Sequence, residues 1–179
     1  SGRAKWPRLV TWQVLDLKVA SQTEGVSALL QAPVQYLSGR QNLDHIGDDE
    51  VALLRDYLAQ GGFLFAVQAC DSADFDEGFR RLVTRLYPDG DQQLRKLPPT
   101  HDIYRSEFLL NEGAPELWGV DVGCRTAIVY APFDHACRWD HWMKHDPPRR
   151  HTAVRTQIMK SMQLATNVLA YATGRELAD

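Results

Sequence analysis

Residues 51–67 carry the clearest structural signal, and they read VALLRDYLAQGGFLFAV. The first eight residues place valine and leucines three and four positions apart, which is the spacing of one face of an amphipathic helix. Gly61 and Gly62 follow, and glycine commonly closes a helix because it accepts a left-handed backbone. Phe63–Val67 is then a continuous apolar run with the length of a buried strand. A helix followed at once by a strand covered on both faces indicates an α/β sheet.

The same alternation of helix and strand continues on both sides of this stretch. Strands that alternate with helices across short loops favour a mostly parallel sheet, so we predict a flavodoxin-like three-layer α/β domain. The predicted strands span residues 9–15, 34–37, 63–67 and 126–130, the first three paired in parallel, with shorter extended pieces near 103–104 and 117–120. The predicted helices are Glu24–Gln31, those capped by Asp48 or Asp49 and by Asp74, and a last one capped by Thr152.

Composition narrows the class of protein. The chain has 179 residues, and 20 Lys and Arg against 23 Asp and Glu give a formal net charge of −3. That length suits one domain, and a content of 44% hydrophobic and 24% charged residues excludes wholesale disorder. The small net charge argues against a dedicated nucleic-acid binder. No apolar run reaches the roughly 18 residues of a membrane span, so we expect no direct membrane insertion.

The opening residues and the lack of cofactor motifs add further expectations. Ser1-Gly2 is typical of residues left by cloning, so we expect a single domain over residues 3–179, cut from a larger protein. No cofactor motif is recognised, and we expect no cofactor.

Polar residues follow each of the first three predicted strands. Because the carboxyl ends of parallel strands meet at one edge of a sheet, we expect these residues to line a ligand-binding crevice. Tyr130, Asp134 and His135 should reach the same edge from the strand at 126–130. The crevice residues are Asp16, Ser38, Gln68, Cys70, Asp71 and Ser72.

Cys70 supports two interpretations. As a nucleophile it needs an imidazole as base and a carboxylate to orient the ring. The candidates are His101 or His135 as base and Asp134 or Asp102 as orienting carboxylate. As a structural residue it would be a small buried thiol at the end of a strand. We expect a mostly buried Cys70 with no imidazole nitrogen within hydrogen-bonding reach.

Residues 133–151 are polar, aromatic and rich in histidine, and we predict a loop at the same edge of the sheet. Cys137, His141 and His145 recur every four residues, which would suit zinc if the segment were helical. Tryptophan is enriched at contact hot spots and arginine grips carboxylates, so a protein interface is the preferred interpretation. The rival interpretation is that the tryptophans fill the core of the domain. The partner-binding candidates are Arg138, Trp139, Trp142, Arg149 and Arg150.

Two of the three cysteines flank one predicted strand. A chain that doubles back after Pro132 would bring Cys124 and Cys137 together, and an exported protein could then form a disulfide between them. The alternative is two unconnected thiols.

The run GGFLFA at residues 61–66, after a helix containing LRDYL, resembles the class I glutamine amidotransferase-like fold. More narrowly, several stretches in order along the chain resemble a bacterial family, the domain of unknown function DUF4159. The resemblance spans about Leu9 to Arg175 and implies a fold rather than an activity. It also implies a domain of a larger bacterial protein, in some cases exported or membrane-anchored. The stretches are residues 15–18, 32–39, 61–66, 79–82, 123–126, 137–139 and 167–175.

The same resemblance raises the question of catalysis. In catalytic class I amidotransferases a cysteine sits on a sharp turn directly after this strand, inside a Gly-x-Cys-x-Gly elbow. Here no glycine flanks Cys70, the elbow position falls nearer Gln68, and Asp71 beside the thiol disfavours a thiolate. We therefore predict a non-catalytic binding or assembly module, whose partner is another protein or the remainder of the parent chain. The alternative is a Cys-dependent hydrolase or amidotransferase-like enzyme that uses Cys70 with His101 or His135.

Overall fold

A computed structural model describes residues 11–110, 113–144 and 151–174, and for residues 141–144 it describes the backbone alone. Five strands and six α-helices, with one short 3-10 helix at Asp102–Arg105, make up the described part. The strands are β1 Gln35–Gly39, β2 Leu64–Gln68, β3 Arg95–Lys96, β4 Trp118–Val122 and β5 Arg125–Ala131. The helices are α1 Leu17–Gln22, α2 Val26–Leu30, α3 Asp48–Ala59, α4 Ala73–Leu86, α5 His135–Lys144 and α6 Thr152–Ala172.

The strands form one mixed sheet in the order β1-β2-β5-β4-β3. Strands β1 and β5 both pair in parallel with β2, which confirms that the predicted strands at 34–37, 63–67 and 126–130 share a sheet. The remaining strand pairs are antiparallel, because β4 pairs with β5 and β3 pairs with β4. Only a two-residue turn, Gly123-Cys124, joins β4 to β5, and such a short connection permits antiparallel neighbours alone. The sheet is therefore less parallel than the sequence predicts.

Helices cover both faces of the sheet, and β2 is an interior strand between β1 and β5. All five residues of β2 are buried, as its continuous apolar run predicts. Leu64 and Ala66 belong to a core that contains residues of α1, α2, α3 and α4. Phe65 and Val67 point the other way, into a second core formed with α6, the 3-10 helix and Trp139 of α5. In the described ranges no helix is long and apolar enough to cross a membrane.

The predicted strand at 9–15 is wrong over residues 11–15. These residues form no regular element, and Trp12 and Val14 are 86% and 88% exposed. A β-prone run becomes a strand only when a neighbouring strand takes its hydrogen bonds, and in the described ranges the outer edge of β1 pairs with no strand. Asp16 is consequently not at a strand end, and its carboxylate caps α1 by accepting from the Val19 amide at 3.1 Å.

Two predicted local conformations also differ from those observed. The segment near 103–104 is a 3-10 turn rather than an extended piece. Much of the predicted loop at 133–151 is helix α5, which begins after Asp134. The Asp134 carboxylate accepts from the amide of Cys137 at 2.9 Å, which is the bond of a helix N-cap. An aspartate three residues after a strand can mark the start of a helix, but the many polar residues of this segment favoured the interpretation as a loop.

Three helix caps lie one or two residues before their predicted positions. The caps are Gly47 for α3, Ser72 for α4 and His151 for α6, in place of Asp48 or Asp49, Asp74 and Thr152.

Candidate functional site at the carboxyl edge of the sheet

A left-handed turn joins β2 to α4. Cys70 and Asp71 have φ values of 55° and 50°, and within the described part of the chain they alone combine a side chain beyond hydrogen with a positive φ. Such a backbone costs free energy for residues other than glycine, and it tends to occur at functional sites. The sharp turn that glycines would ease is therefore present, although glycine is not.

Hydrogen bonds fasten this turn to the end of β1. The Ala69 amide donates to the carbonyl of Gly39 at 3.0 Å, which extends the parallel ladder by one residue. The Ser72 hydroxyl donates to the carbonyl of Arg40, and the same oxygen accepts from the Phe75 amide at 3.4 Å. Because these contacts fix the backbone on both sides of Cys70, its left-handed conformation is held by the fold.

Asp134 connects the turn to α5. One carboxylate oxygen accepts from the Cys70 amide at 2.8 Å, and the other accepts from the Cys137 amide at 2.9 Å. One side chain thereby joins two segments that are 64 residues apart in sequence. This bridge is the central feature of the edge, whereas the sequence predicts Asp134 at this edge and as a carboxylate that orients a histidine.

Two aromatic residues border the bridge. Tyr36 of β1 is 51% exposed, and its ring lies 5.9 Å from that of Phe65 and 6.3 Å from that of Trp139. Partial burial raises the pKa of the Tyr36 phenol and the negative charge of Asp134 raises it further, while a hydrogen bond with Ser38 acts in the opposite direction. Phe133, next to Asp134, is 43% exposed. The edge thus carries two accessible aromatic rings beside a carboxylate.

His135 is enclosed behind the bridge. Its side chain is fully buried, with Nδ1 2.7 Å from the Ser161 hydroxyl and the ring stacked 6.0 Å from Trp139. Burial first, and then the charge of Arg138, lower the pKa of His135 to about 4, so the ring is neutral at pH 7. Its Nε2 has no hydrogen-bond partner among the described residues. The imidazole therefore faces Ser161 rather than the Cys70 thiol.

His101 lies at the opposite end of the strands, where the parallel strands begin. Its Nδ1 accepts from the Ile103 amide at 3.2 Å, and its Nε2 lies 3.0 Å from the Thr126 hydroxyl, at the amino end of β5. Thr126 lies five residues before the carboxyl end of β5, a distance of about 17 Å along the strand. His101 therefore cannot serve as a base for Cys70 in this fold. In the described part of the chain, no hydrogen bond joins the Cys70 thiol to an imidazole.

Most of the predicted crevice residues do come together. Ser38, Gln68, Asp71 and Ser72 lie at the adjacent carboxyl ends of β1 and β2, where Gly39 is in register with Gln68. Gln68 is buried, and its amide donates to the carbonyl of Ser72 at 2.7 Å. The predicted Tyr130 points away from Asp134, because its hydroxyl donates to Asp76 of α4 at 2.8 Å. Asp102, the other proposed orienting carboxylate, pairs with Arg105.

All three cysteines are free and exposed. Exposure of Cys70 contradicts the predicted buried thiol, because the left-handed turn carries the residue beyond the buried end of β2. Cys124 lies in the turn between β4 and β5, at the amino end of β5, whereas Cys137 follows its carboxyl end. The whole length of β5 therefore separates the predicted disulfide partners.

The remaining candidates lie on or beyond α5. Trp139 is half-buried, and its indole N–H donates to the carbonyl of Ser161 at 3.0 Å, so the contacts it makes are within the chain. Arg138 is partly exposed beside it. Within the described ranges no group of three side chains is arranged to hold a metal ion. The side chains of His141 and Trp142, and all of His145, Arg149 and Arg150, lie outside the described residues.

Comparison with known proteins identifies one family. No curated protein matches the chain. The model of the domain of unknown function DUF4159 matches residues 13–173, a range that includes every strand and helix described above. The chain belongs to the DUF4159 family.

Proposed function

We propose that this domain is a non-catalytic binding module of the flavodoxin-like, glutamine amidotransferase-like class. Its binding surface is the edge surface, which we define as Tyr36, Ser38, Cys70, Phe133 and Asp134. The parallel set β1-β2-β5, with helices on both faces, supports the assignment to this class of fold. The carboxylate bridge at Asp134 carries the functional part of the proposal.

The bridge disfavours thiol catalysis. A nucleophilic cysteine needs a positive or basic neighbour that stabilises its thiolate. Cys70 instead has a carboxylate on its own amide nitrogen and Asp71 as its neighbour in sequence. Neither neighbour supplies the positive or basic group that a nucleophilic thiol requires.

The exposed groups suit a protein partner. Tyr36 and Phe133 present accessible aromatic surface, and aromatic residues anchor many protein interfaces. Arg138, in the first turn of α5, can pair with a carboxylate on the partner. An apolar contact bordered by an arginine fits a protein surface or another part of the parent protein better than a small metabolite.

Photocrosslinking in the native host tests this proposal. A photoreactive phenylalanine analogue replaces Phe133 or Tyr36, and the matched control carries it at Cys124, an exposed position at the opposite edge. We expect one discrete protein adduct from positions 133 and 36 that is missing from position 124. The same adducts at all three positions, or none at 133 and 36, would contradict the proposal.

A Cys-dependent hydrolase or amidotransferase-like enzyme is the second candidate. The observation in its favour is the exposed Cys70 on a left-handed turn between a strand and a helix, which is where an elbow nucleophile lies. Its requirement is a base within reach, and His101 and His135 are engaged elsewhere. Release of ammonia from glutamine, abolished in Cys70→Ser, would promote this candidate above the binding module.

A further inference from the structure

Cys70 and Cys137 approach the same side chain from two segments. Their amide nitrogens lie 2.8 Å and 2.9 Å from the two oxygens of the Asp134 carboxylate. The two amide nitrogens are therefore separated by no more than two hydrogen bonds and the width of one carboxylate. Both side chains are exposed, so nothing in the described core encloses either thiol.

The backbone geometry directs Cys137 toward the turn. Side chains on an α-helix lean toward its amino end, and Cys137 is the third residue of α5. Its thiol consequently leans toward Asp134, whose other oxygen holds the turn that carries Cys70. A disulfide needs Cα atoms about 4.4–6.8 Å apart, and the shared carboxylate limits the distance between the two amide nitrogens to two hydrogen bonds and its own width.

We propose that Cys70 and Cys137 form a reversible intramolecular disulfide by exchange with a low-molecular-weight disulfide such as oxidised glutathione. One cysteine, as its thiolate, attacks a sulfur of oxidised glutathione and releases one glutathione thiolate, which leaves a mixed disulfide on the protein. The second cysteine, after losing its proton, attacks the protein sulfur of that mixed disulfide and releases a second glutathione thiolate. The two protein thiols are oxidised, and one glutathione disulfide is reduced to two thiols.

Cys124 cannot take part in the same exchange. It precedes β5, while Cys137 follows that strand, and the seven residues of β5 span about 20 Å. Cys70 lies beyond the carboxyl end of the neighbouring parallel strand β2, so it is equally remote from Cys124. Cys124 is thus a matched control, since it is an exposed thiol of the same chain.

The product is a covalent tie across the carboxyl edge. It would join the turn after β2 to α5 at the point that Asp134 already bridges. This inference does not depend on the proposed binding function, because it concerns only the two thiols and the carboxylate between them.

Peptide mapping of the whole chain tests the proposal. The protein is incubated with oxidised glutathione, quenched with N-ethylmaleimide and digested with trypsin, which places the three cysteines in separate peptides, 56–80, 106–125 and 126–138. We expect peptide 56–80 linked to peptide 126–138 in monomeric protein, and loss of the link after dithiothreitol. Cys124→Ser should retain the link. In Cys70→Ser and Cys137→Ser the remaining partner should carry a glutathione adduct instead.

Three results would overturn the proposal. The first is wild-type protein that keeps stable glutathione adducts on both Cys70 and Cys137 without linked peptides. The second is both thiols fully blocked by N-ethylmaleimide after the incubation. The third is a link that includes Cys124 or that occurs only between two chains.

Discussion

The amino edge and the carboxyl edge of the sheet, where the parallel strands β1, β2 and β5 begin and end, use the same chemical groups in different ways. Each edge holds a histidine against a hydroxyl, His101 with Thr126 at the amino edge and His135 with Ser161 at the carboxyl edge. At the amino edge the Thr126 hydroxyl donates a hydrogen bond to the Asp121 carboxylate at 2.6 Å. Both nitrogens of His101 and the Thr126 hydroxyl therefore have hydrogen-bond partners. At the carboxyl edge one nitrogen of His135 has no partner among the described residues.

Backbone conformation separates the edges in the same way. The left-handed positions at the amino edge are glycines, Gly61 and Gly123, while those at the carboxyl edge are Cys70 and Asp71. Arg125 adds two hydrogen bonds at the amino edge, to the carbonyls of Gly61 at 2.7 Å and Gly62 at 3.1 Å. Strain and unpaired groups persist where function retains them. The comparison therefore supports the proposal that the carboxyl edge is the functional edge, while the amino edge contributes stability.

The largest effect is expected from Gly62→Ala at the amino edge. An added Cβ would lie 2.4 Å from the ring of Tyr57, which is fully buried and donates its hydroxyl hydrogen to the carbonyl of Phe63. The ring of Tyr57 cannot move away from the added Cβ without breaking its hydrogen bond to Phe63. We therefore expect a loss of about 3 kcal/mol in the free energy of unfolding. Chemical denaturation measures it, with Gly61→Ala as the control.

Gly61 has a φ of 93° and open space around its missing side chain, so its replacement adds only backbone strain. We expect a loss of about 1 kcal/mol for Gly61→Ala. Equal losses at the two glycines would show that the ring of Tyr57 yields, and that the amino edge is less rigid than described.

Asp134→Ala should have the next largest effect. It removes the cap of α5 and leaves the Cys70 amide without its carboxylate, so we expect a loss of about 2 kcal/mol in the free energy of unfolding. The matched variant is Asp121→Ala, which removes an exposed carboxylate that accepts from one hydroxyl. An equal loss from both variants would remove the distinction between the two carboxylates.

His135 makes stability depend on pH. The unfolded chain binds a proton at this imidazole near pH 6.5, whereas burial lowers the folded pKa to about 4. Between those values the unfolded state binds more protons, so stability is complete above the unfolded pKa and falls as the pH falls toward 4. From pH 7 to pH 5.5 we expect a loss of about 1 kcal/mol, measured by denaturation at each pH.

Two variants separate this contribution from other titrating groups. His135→Gln should abolish most of the pH dependence in that window, because its side chain does not titrate. His101→Gln should retain the larger part of the pH dependence, since burial also lowers the pKa of His101 but by less than it lowers the pKa of His135. A pH profile unchanged by His135→Gln would refute the assignment.

The smallest effect is expected from Asp71→Gly, and its sign is opposite. Glycine adopts a φ of 50° without strain, so we expect a gain of about 0.5 kcal/mol in the free energy of unfolding. The reciprocal change at the amino edge, Gly123→Ala at a φ of 64°, should cost about 1 kcal/mol. A loss at Asp71→Gly would mean that the aspartate side chain stabilises the turn by more than its backbone strain.

The residues that the sequence placed correctly are those whose burial follows from pattern alone. Phe63–Val67 has no polar interruption, and an interior strand that is covered on both faces satisfies that pattern with any neighbours. Residues 11–15 are also rich in β-branched and aromatic residues, although Gln13 interrupts them, yet they form no strand because composition does not supply a pairing partner. Long-range pairing decided between two runs that look alike.

The site was less predictable because it depends on one contact between distant segments. The positions of Ser38, Gln68 and Cys70 at one edge follow from parallel strands. Predicting the bridge by Asp134 requires knowing that only three residues separate the end of β5 from the start of α5, and the polar composition of residues 133–151 suggested a loop instead. The exposure of Cys70 depends on a left-handed backbone, and the turn contains no glycine that would predict that conformation.

Amide hydrogen exchange tests the central claim, that one carboxylate organises the carboxyl edge. The amides of Cys70 and Cys137 donate to Asp134, while the Thr126 amide at the amino edge donates to the Tyr171 hydroxyl at 3.2 Å. We predict that Asp134→Ala speeds exchange at Cys70 and Cys137 together by about tenfold or more and leaves Thr126 unchanged. Exchange at Cys70 that is already unprotected in the wild-type chain, or that changes independently of Cys137, would contradict the account.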